Sequence, residues 1–126
     1  MAGTGEEFDQ LKKQVKALNL ETNIEFFGLI SHTDVLVLMN SSRIFLHTSD
    51  YEGNSSVMAE ALYSGCKVVS TCSLNFKTVR NLHIEKNKKN LTDTVLKLLS
   101  EETQAERILF NNMEDTAKKI ANLFLN

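Results

Sequence analysis

Residues 43–71 constrain the fold of this chain more than any other stretch. An apolar run, Arg43-Ile44-Phe45-Leu46-His47-Thr48, leads into Ser49-Asp50-Tyr51-Glu52-Gly53-Asn54-Ser55, a polar turn rich in small residues. A helical pattern follows as far as Gly65, and then a second apolar run, Lys67-Val68-Val69-Ser70-Thr71. Strand, polar loop, helix and strand make a βαβ unit, and in such units ligands bind at the carboxyl ends of the strands. Two carboxylates belong to that end: Glu52 in the turn and, eight residues on, Glu60 inside the helix. The pattern points to a binding site there.

The rest of the chain fits an α/β fold with a parallel sheet. Phe8, Leu11, Val15 and Leu18 fall on one face of a helix over 6–18, and Asn19-Leu20-Glu21-Thr22-Asn23 ends it. Ile24–Phe27 reads as a short strand closed by Gly28. Asp34–Asn40 reads as a helix capped by Ser31 or Thr33, with Val35, Leu38 and Met39 facing inward. Ile44–His47 is mostly apolar, as expected of a strand covered on both sides. Past Thr71, a short strand is expected around Arg80–Ile84, then helices over Leu91–Leu99 and Glu102–Phe124. The order alternates helix and strand, which is the signature of a Rossmann-like parallel sheet with flanking helices.

Bulk properties narrow the function classes. At 126 residues the chain has room for one domain. A net charge of −2 argues against nucleic acid held mainly by electrostatics. The basic cluster Lys86-Asn87-Lys88-Lys89 reads as a solvated loop. Cys66 and Cys72 bracket a strand, and six extended residues span roughly 20 Å, far too much for a disulfide. Both therefore read as reduced thiols of a cytoplasmic protein. His83 stands in no ligand spacing with them, so no metal site is expected. The sequence has no signal peptide and no apolar run near membrane-spanning length.

The turn and helix have a direct chemical reading. Asn54 or Ser55 is a good N-cap, with the helix running to Ser64 and stopping at Gly65. The amides of Gly53, Asn54, Ser55 and Ser56 would then point out of the helix start, where the dipole favours phosphate oxygens. Glu60 would lie roughly 7 to 8 Å further along the axis. Carboxylates accept paired hydrogen bonds, which suits the vicinal hydroxyls of a ribose or a hexose. A nucleotide-sugar has that layout. Taken alone, Glu60 reads better as a solvated residue on a polar face shared with Ser56, Tyr63 and Ser64, opposite Val57, Met58, Ala61 and Leu62, and Glu52 as an ordinary loop acid. His47 reads as a core or loop-edge histidine, and Arg80 and Lys77 as candidates for a basic contact to phosphate.

The surrounding sequence adds a family resemblance. Ser49-Asp50-Tyr51-Glu52-Gly53, Glu60-Ala61-Leu62 and Gly65-Cys66-Lys67-Val68-Val69-Ser70-Thr71 resemble the E-x7-E signature of the retaining GT-B glycosyltransferases of family 4, the group 1 transferases. Gly3-x-Gly5 and Asn23-Ile24-Glu25-Phe26-Phe27-Gly28 resemble two further motifs of that family. The resemblance covers about residues 3–72.

It implies that the chain forms most of the C-terminal, donor-binding half of a GT-B fold. Glu52 would meet the donor sugar near the reacting centre as the catalytic residue. Gly53, Asn54, Ser55 and Ser56 would contact sugar and phosphate, and Glu60 the ribose. Backbone at Gly28, Leu29 and Ile30 would lie against the nucleobase. The reaction would transfer a hexose from a nucleotide-diphosphate sugar with retained configuration, without metal or cofactor. The acceptor, a glycan or a lipid, would be held by an N-terminal domain absent from these 126 residues, so the piece would be inactive alone. A full-length protein could work at the inner membrane face, and an exposed sheet edge could pair copies of the chain.

There are departures from the family. Gly3-x-Gly5 has no strand before it, so the chain reads as starting in mid-fold, without the Arg and Lys that clamp the diphosphate. Lys67 stands where proline is usual, and Cys72-Ser73-Leu74-Asn75-Phe76-Lys77-Thr78 replaces the Gly-Gly-x-Pro-Glu loop, leaving the sugar open. A non-catalytic nucleotide- or sugar-binding module is the alternative. A receiver-like signalling domain fits poorly, because no acidic pair follows a first strand.

Overall fold

In a computed structural model, Ile44–His47 forms the strand β1 and Lys67–Ser70 the strand β2, joined through the helix α3 at Ser56–Tyr63. The structure describes residues 1–49, 56–72, 79–101 and 106–109. Strand β3, Leu82–Ile84, completes a parallel sheet in the order β1-β2-β3. Three helices lie outside the βαβ unit: α1 (Phe8–Ala17), α2 (His32–Ser41) and α4 (Lys88–Ser100). The α/β class and the parallel sheet with flanking helices are as the sequence indicates.

The sheet explains itself by burial. All four residues of β2 are buried, and successive strand side chains point to opposite faces, so both faces of β2 are covered. Helices α3 and α4 both pack on β2 and β1. Met58, Ala61 and Leu62 of α3 join Val68, Val69 and Leu98 in the core, while Tyr63 stays exposed. Helix α3 ends where Gly65 takes a φ of +90°, a conformation cheap only for glycine, and the Cys66 amide donates back to the Ala61 carbonyl at 2.9 Å. Asn87 caps α4, its side chain accepting the Asn90 amide at 2.8 Å.

The described residues divide into two compact units, 1–37 and the part from Leu38 onward. In the first unit, α1 holds Phe8 edge-to-face against Phe26 at 5.5 Å, with the Lys12 ammonium 4.5 Å over the Phe8 ring. Asn19 closes α1 at a φ of +54°, and the Leu20 amide reaches back to the Val15 carbonyl.

Three expectations need correction, and the choice between two caps for α2 is resolved. Ile24–Phe27 is not a strand: a single parallel bridge joins Ala2 to Gly28, and one bridge is too short a ladder to define one. Ser31, not Thr33, caps α2: its hydroxyl accepts the Asp34 amide at 3.2 Å and donates to the Asp34 carboxylate at 2.6 Å, while Thr33 lies within the helix. Lys88 and Lys89 open α4 rather than lying in a loop, although they are exposed as expected. Of the helix expected over Glu102–Phe124, residues 106–109 are irregular, and the rest lies outside the described residues. The Ile108 amide donates to the Leu62 carbonyl at 3.1 Å, a tertiary bond in place of a helical one.

Candidate functional site

The carboxyl ends of β1 and β2, where the sequence points to a site, carry a polar hydrogen-bond cluster. The register pairs His47 with Ser70, the last residues of the two strands, so their side chains project from the same face. His47 Nδ1 lies 3.1 Å from Ser70 Oγ, and His47 Nε2 lies 3.2 Å from Ser49 Oγ. Ser70 Oγ also accepts the Cys72 amide at 3.0 Å. The Ser49 carbonyl accepts the Thr71 hydroxyl and the Cys72 thiol, both at 2.6 Å, and the Thr71 amide donates to the His47 carbonyl at 3.1 Å. The chain therefore leaves β1 and β2 through one closed, largely buried hydrogen-bond cluster. His47 is indeed a core histidine, 9% exposed.

Helix α3 starts at Ser56, which is exposed, and carries Glu60 half-buried one turn further on. Glu52, Gly53, Asn54 and Ser55 lie outside the described residues. Gly28, Leu29 and Ile30 belong to the first unit. Gly28 holds a φ of +64° with open space where a side chain would project, and Leu29 is 87% exposed. An apolar cavity of about 240 Å³ in that unit is lined by Gly3, Gly5, Phe8 and Phe26, which places the Gly-x-Gly motif on its rim.

Arg80 is not at this end of the sheet. It precedes β3, at the amino ends of the strands, and pairs with Glu106 at 2.9 Å. A cavity of about 360 Å³ running along β3 and α4 is lined by Lys67, Arg80, His83, Glu85, Lys97 and Glu101, among others. Lys67 is buried and pairs with Glu101, whose carboxyl is held below the usual carboxylate range chiefly by the Lys67 hydrogen bond. Burial pushes the His83 imidazole below its ordinary value, while Glu101 and Glu85 pull it back up. Lys77 lies outside the described residues.

Cys66 and Cys72 are free and buried. The Cys66 thiol bonds the Met39 carbonyl at 3.2 Å, and burial pushes its pKa up. Among the described residues, no three His, Cys, Asp or Glu side chains are placed to hold a metal ion. No described helix is long and apolar enough to cross a membrane.

The hydrogen-bond cluster that closes the strand ends was not foreseen from sequence. Its only sequence signal is that two apolar strands each end in a polar residue, His47 and Ser70.

A Rossmann-like βαβ unit with its polar end at the carboxyl ends of the strands is a fold many enzymes share, and comparison with known proteins narrows it. The chain belongs to the family described as Glycosyl transferases group 1, which it matches over residues 1–120. It is also similar to a 2-deoxystreptamine N-acetyl-D-glucosaminyltransferase of Niallia circulans, 30% identical over 71 residues. That match takes in 56% of this chain and 18% of the relative, so the chain spans only a small part of that protein's length. No solved structure matches.

Proposed function

We propose that the chain supplies the donor side of a glycosyltransferase with GT-B architecture, one that moves a hexose from a nucleoside diphosphate sugar to an acceptor with retained configuration. The observation that carries this reading is the β1–α3–β2 unit. It sets Ser56 and Glu60 on the helix that follows the carboxyl end of β1, in a chain of the group 1 family.

On this reading Glu60 accepts the ribose hydroxyls, and Ser56 lies by the phosphates at the helix start, where free amides and the dipole favour anions. Glu52 is the group at the reacting centre, with Gly53, Asn54 and Ser55 beside it, and backbone at Gly28–Ile30 meets the base. These last assignments rest on the motif resemblance. Departing diphosphate is stabilised by amides and basic groups rather than by a metal. The acceptor is a glycan or a lipid, held by a further domain of a longer protein.

Calorimetric titration tests this reading. The chain is titrated with uridine, guanosine and adenosine diphosphate sugars, N-acetylglucosamine donors included because of the similar Niallia circulans enzyme. Saturable binding to one donor, weakened at least tenfold by Glu60→Ala, is the expected result. A folded chain that binds none of them defeats the donor reading. Binding unaffected by Glu60→Ala would leave a nucleotide- or sugar-binding module whose site lies elsewhere.

A further inference from the structure

We propose that His47 is a positioning residue of the donor site, acting through Ser49 and Ser70 and not by touching the donor. The inference rests on the donor reading above and adds to it a residue outside the E-x7-E signature.

Three observations carry it. First, the imidazole is used on both sides: Nδ1 faces Ser70 Oγ at 3.1 Å, and Nε2 faces Ser49 Oγ at 3.2 Å. Ser70 Oγ has the Cys72 amide as an independent donor, so it can pass its own proton to Nδ1 or accept one from it. Second, Ser49 is the last described residue before Ser56, and its carbonyl is held from the other strand by Thr71 and Cys72 at 2.6 Å each. A side chain that grips Ser49 by its hydroxyl therefore fixes the point at which the chain leaves β1. Third, the cluster ties the two ends of the signature together, since Ser49 opens it and Thr71 closes it.

Burial adds weight. Ser70 is fully buried and His47 nearly so, and polar groups in such a place are costly unless every one is bonded. Phenylalanine at 47 would keep an aromatic ring beside Phe45, which stacks on the imidazole with ring centres 6.2 Å apart, while removing both polar arms. It separates the packing role from the positioning role.

The test uses the whole chain and two readouts: calorimetric affinity for the donor selected above, and amide hydrogen exchange. In His47→Phe the expected results are at least a tenfold loss of affinity and faster exchange at Thr71 and Cys72. Protection at Val68 and Glu85, whose amides donate to Asn81 and Ser70 carbonyls, stays unchanged. His47→Asn, which keeps a polar arm toward Ser70, and His47→Gln, which keeps one toward Ser49, should each recover part of the affinity. Unaltered exchange at Thr71 and Cys72, or unaltered affinity, in the folded phenylalanine variant overturns the proposal. If that variant fails to fold, wild-type affinity and protection in both His47→Asn and His47→Gln overturn it. Failure of the unaltered chain to bind any donor defeats the donor reading instead, a different result in a different sample.

Discussion

Lys67 reaches from the amino end of β2 to the carboxylate of Glu101, just past the end of α4, and the two halves of this ion pair sit in different surroundings. The Lys67 side chain is 9% exposed and that of Glu101 39%. The Arg43 guanidinium also donates to the Glu101 carbonyl, so two cations secure the end of the helix. A lysine at the start of β2 thus anchors the end of α4 to the sheet.

The unequal exposure predicts an unequal response to mutation. Glu101→Gln leaves a buried ammonium without its counter-charge, whereas Lys67→Met leaves a carboxylate that water can reach. Glu101→Gln should lower the thermal midpoint by several degrees and clearly more than Lys67→Met does. A scan of both variants checks the order, and an equal or reversed effect would contradict the burial argument.

Acid should act in two ranges. His83 has a lowered pKa, so the unfolded chain binds its proton first and stability declines as pH falls below about 6.5, the imidazole's ordinary value. Glu101 is lowered as well, so its contribution is complete above about 4.5 and is lost as pH drops further. Urea midpoints followed from pH 8 to pH 3 should fall through both ranges. His83→Gln should flatten the upper one and Glu101→Gln the lower.

Core and surface positions on α3 should separate cleanly. Leu62 is fully buried, and Leu62→Ala should cost about 3 kcal/mol, the usual toll of a lost side chain plus the cavity left behind. Tyr63, next in the chain, is 54% exposed, and Tyr63→Ala should stay within about 0.5 kcal/mol. Chemical denaturation of the two variants is sufficient to tell.

Gly28 offers a purely conformational test. Its φ of +64° is strained for an L residue, yet a side chain there would meet nothing within 4 Å. Gly28→Ala should therefore cost about 1 kcal/mol from backbone strain alone, and Gly28→Asn less, since asparagine tolerates this region. Equilibrium unfolding measures both.

Cys66 should resist thiol reagents in the native state. It is fully buried and its pKa is raised, so little thiolate forms at pH 8. Ellman's reagent should label it far more slowly in buffer than in denaturant, and fast labelling in buffer would show that the α3–β2 turn opens readily.

Much of the fold could be read from side-chain order, and the reasons are physical. β1, β2 and α3 are legible because apolar strands closed by small polar residues, followed by a helix stopped at Gly65, leave the chain few alternatives. Ile24–Phe27 looked like a strand because its composition suits one, but a strand needs a partner, and its neighbour supplies only the Ala2 bridge. The irregular 106–109 segment defeated helical periodicity because Glu106 and Ile108 bond to Arg80 and Leu62. The positions of Glu60 and Ser56 on α3 were legible from spacing alone. The His47 cluster was not, because a hydrogen bond between two strand ends depends on register, and register is a property of the pair rather than of either run.

Gly65 makes the joint between α3 and β2 only three residues long, Ser64 to Cys66. So short a link leaves no slack to absorb a change in length. One residue added there would rotate β2 by half a pleat, turning Lys67 away from Glu101 and moving Ser70 off the face it shares with His47. The helix anchor at one end of the strand and the hydrogen-bonded closure at the other would be lost together. This joint thus acts as a phase lock, and length variation among relatives should fall anywhere but here.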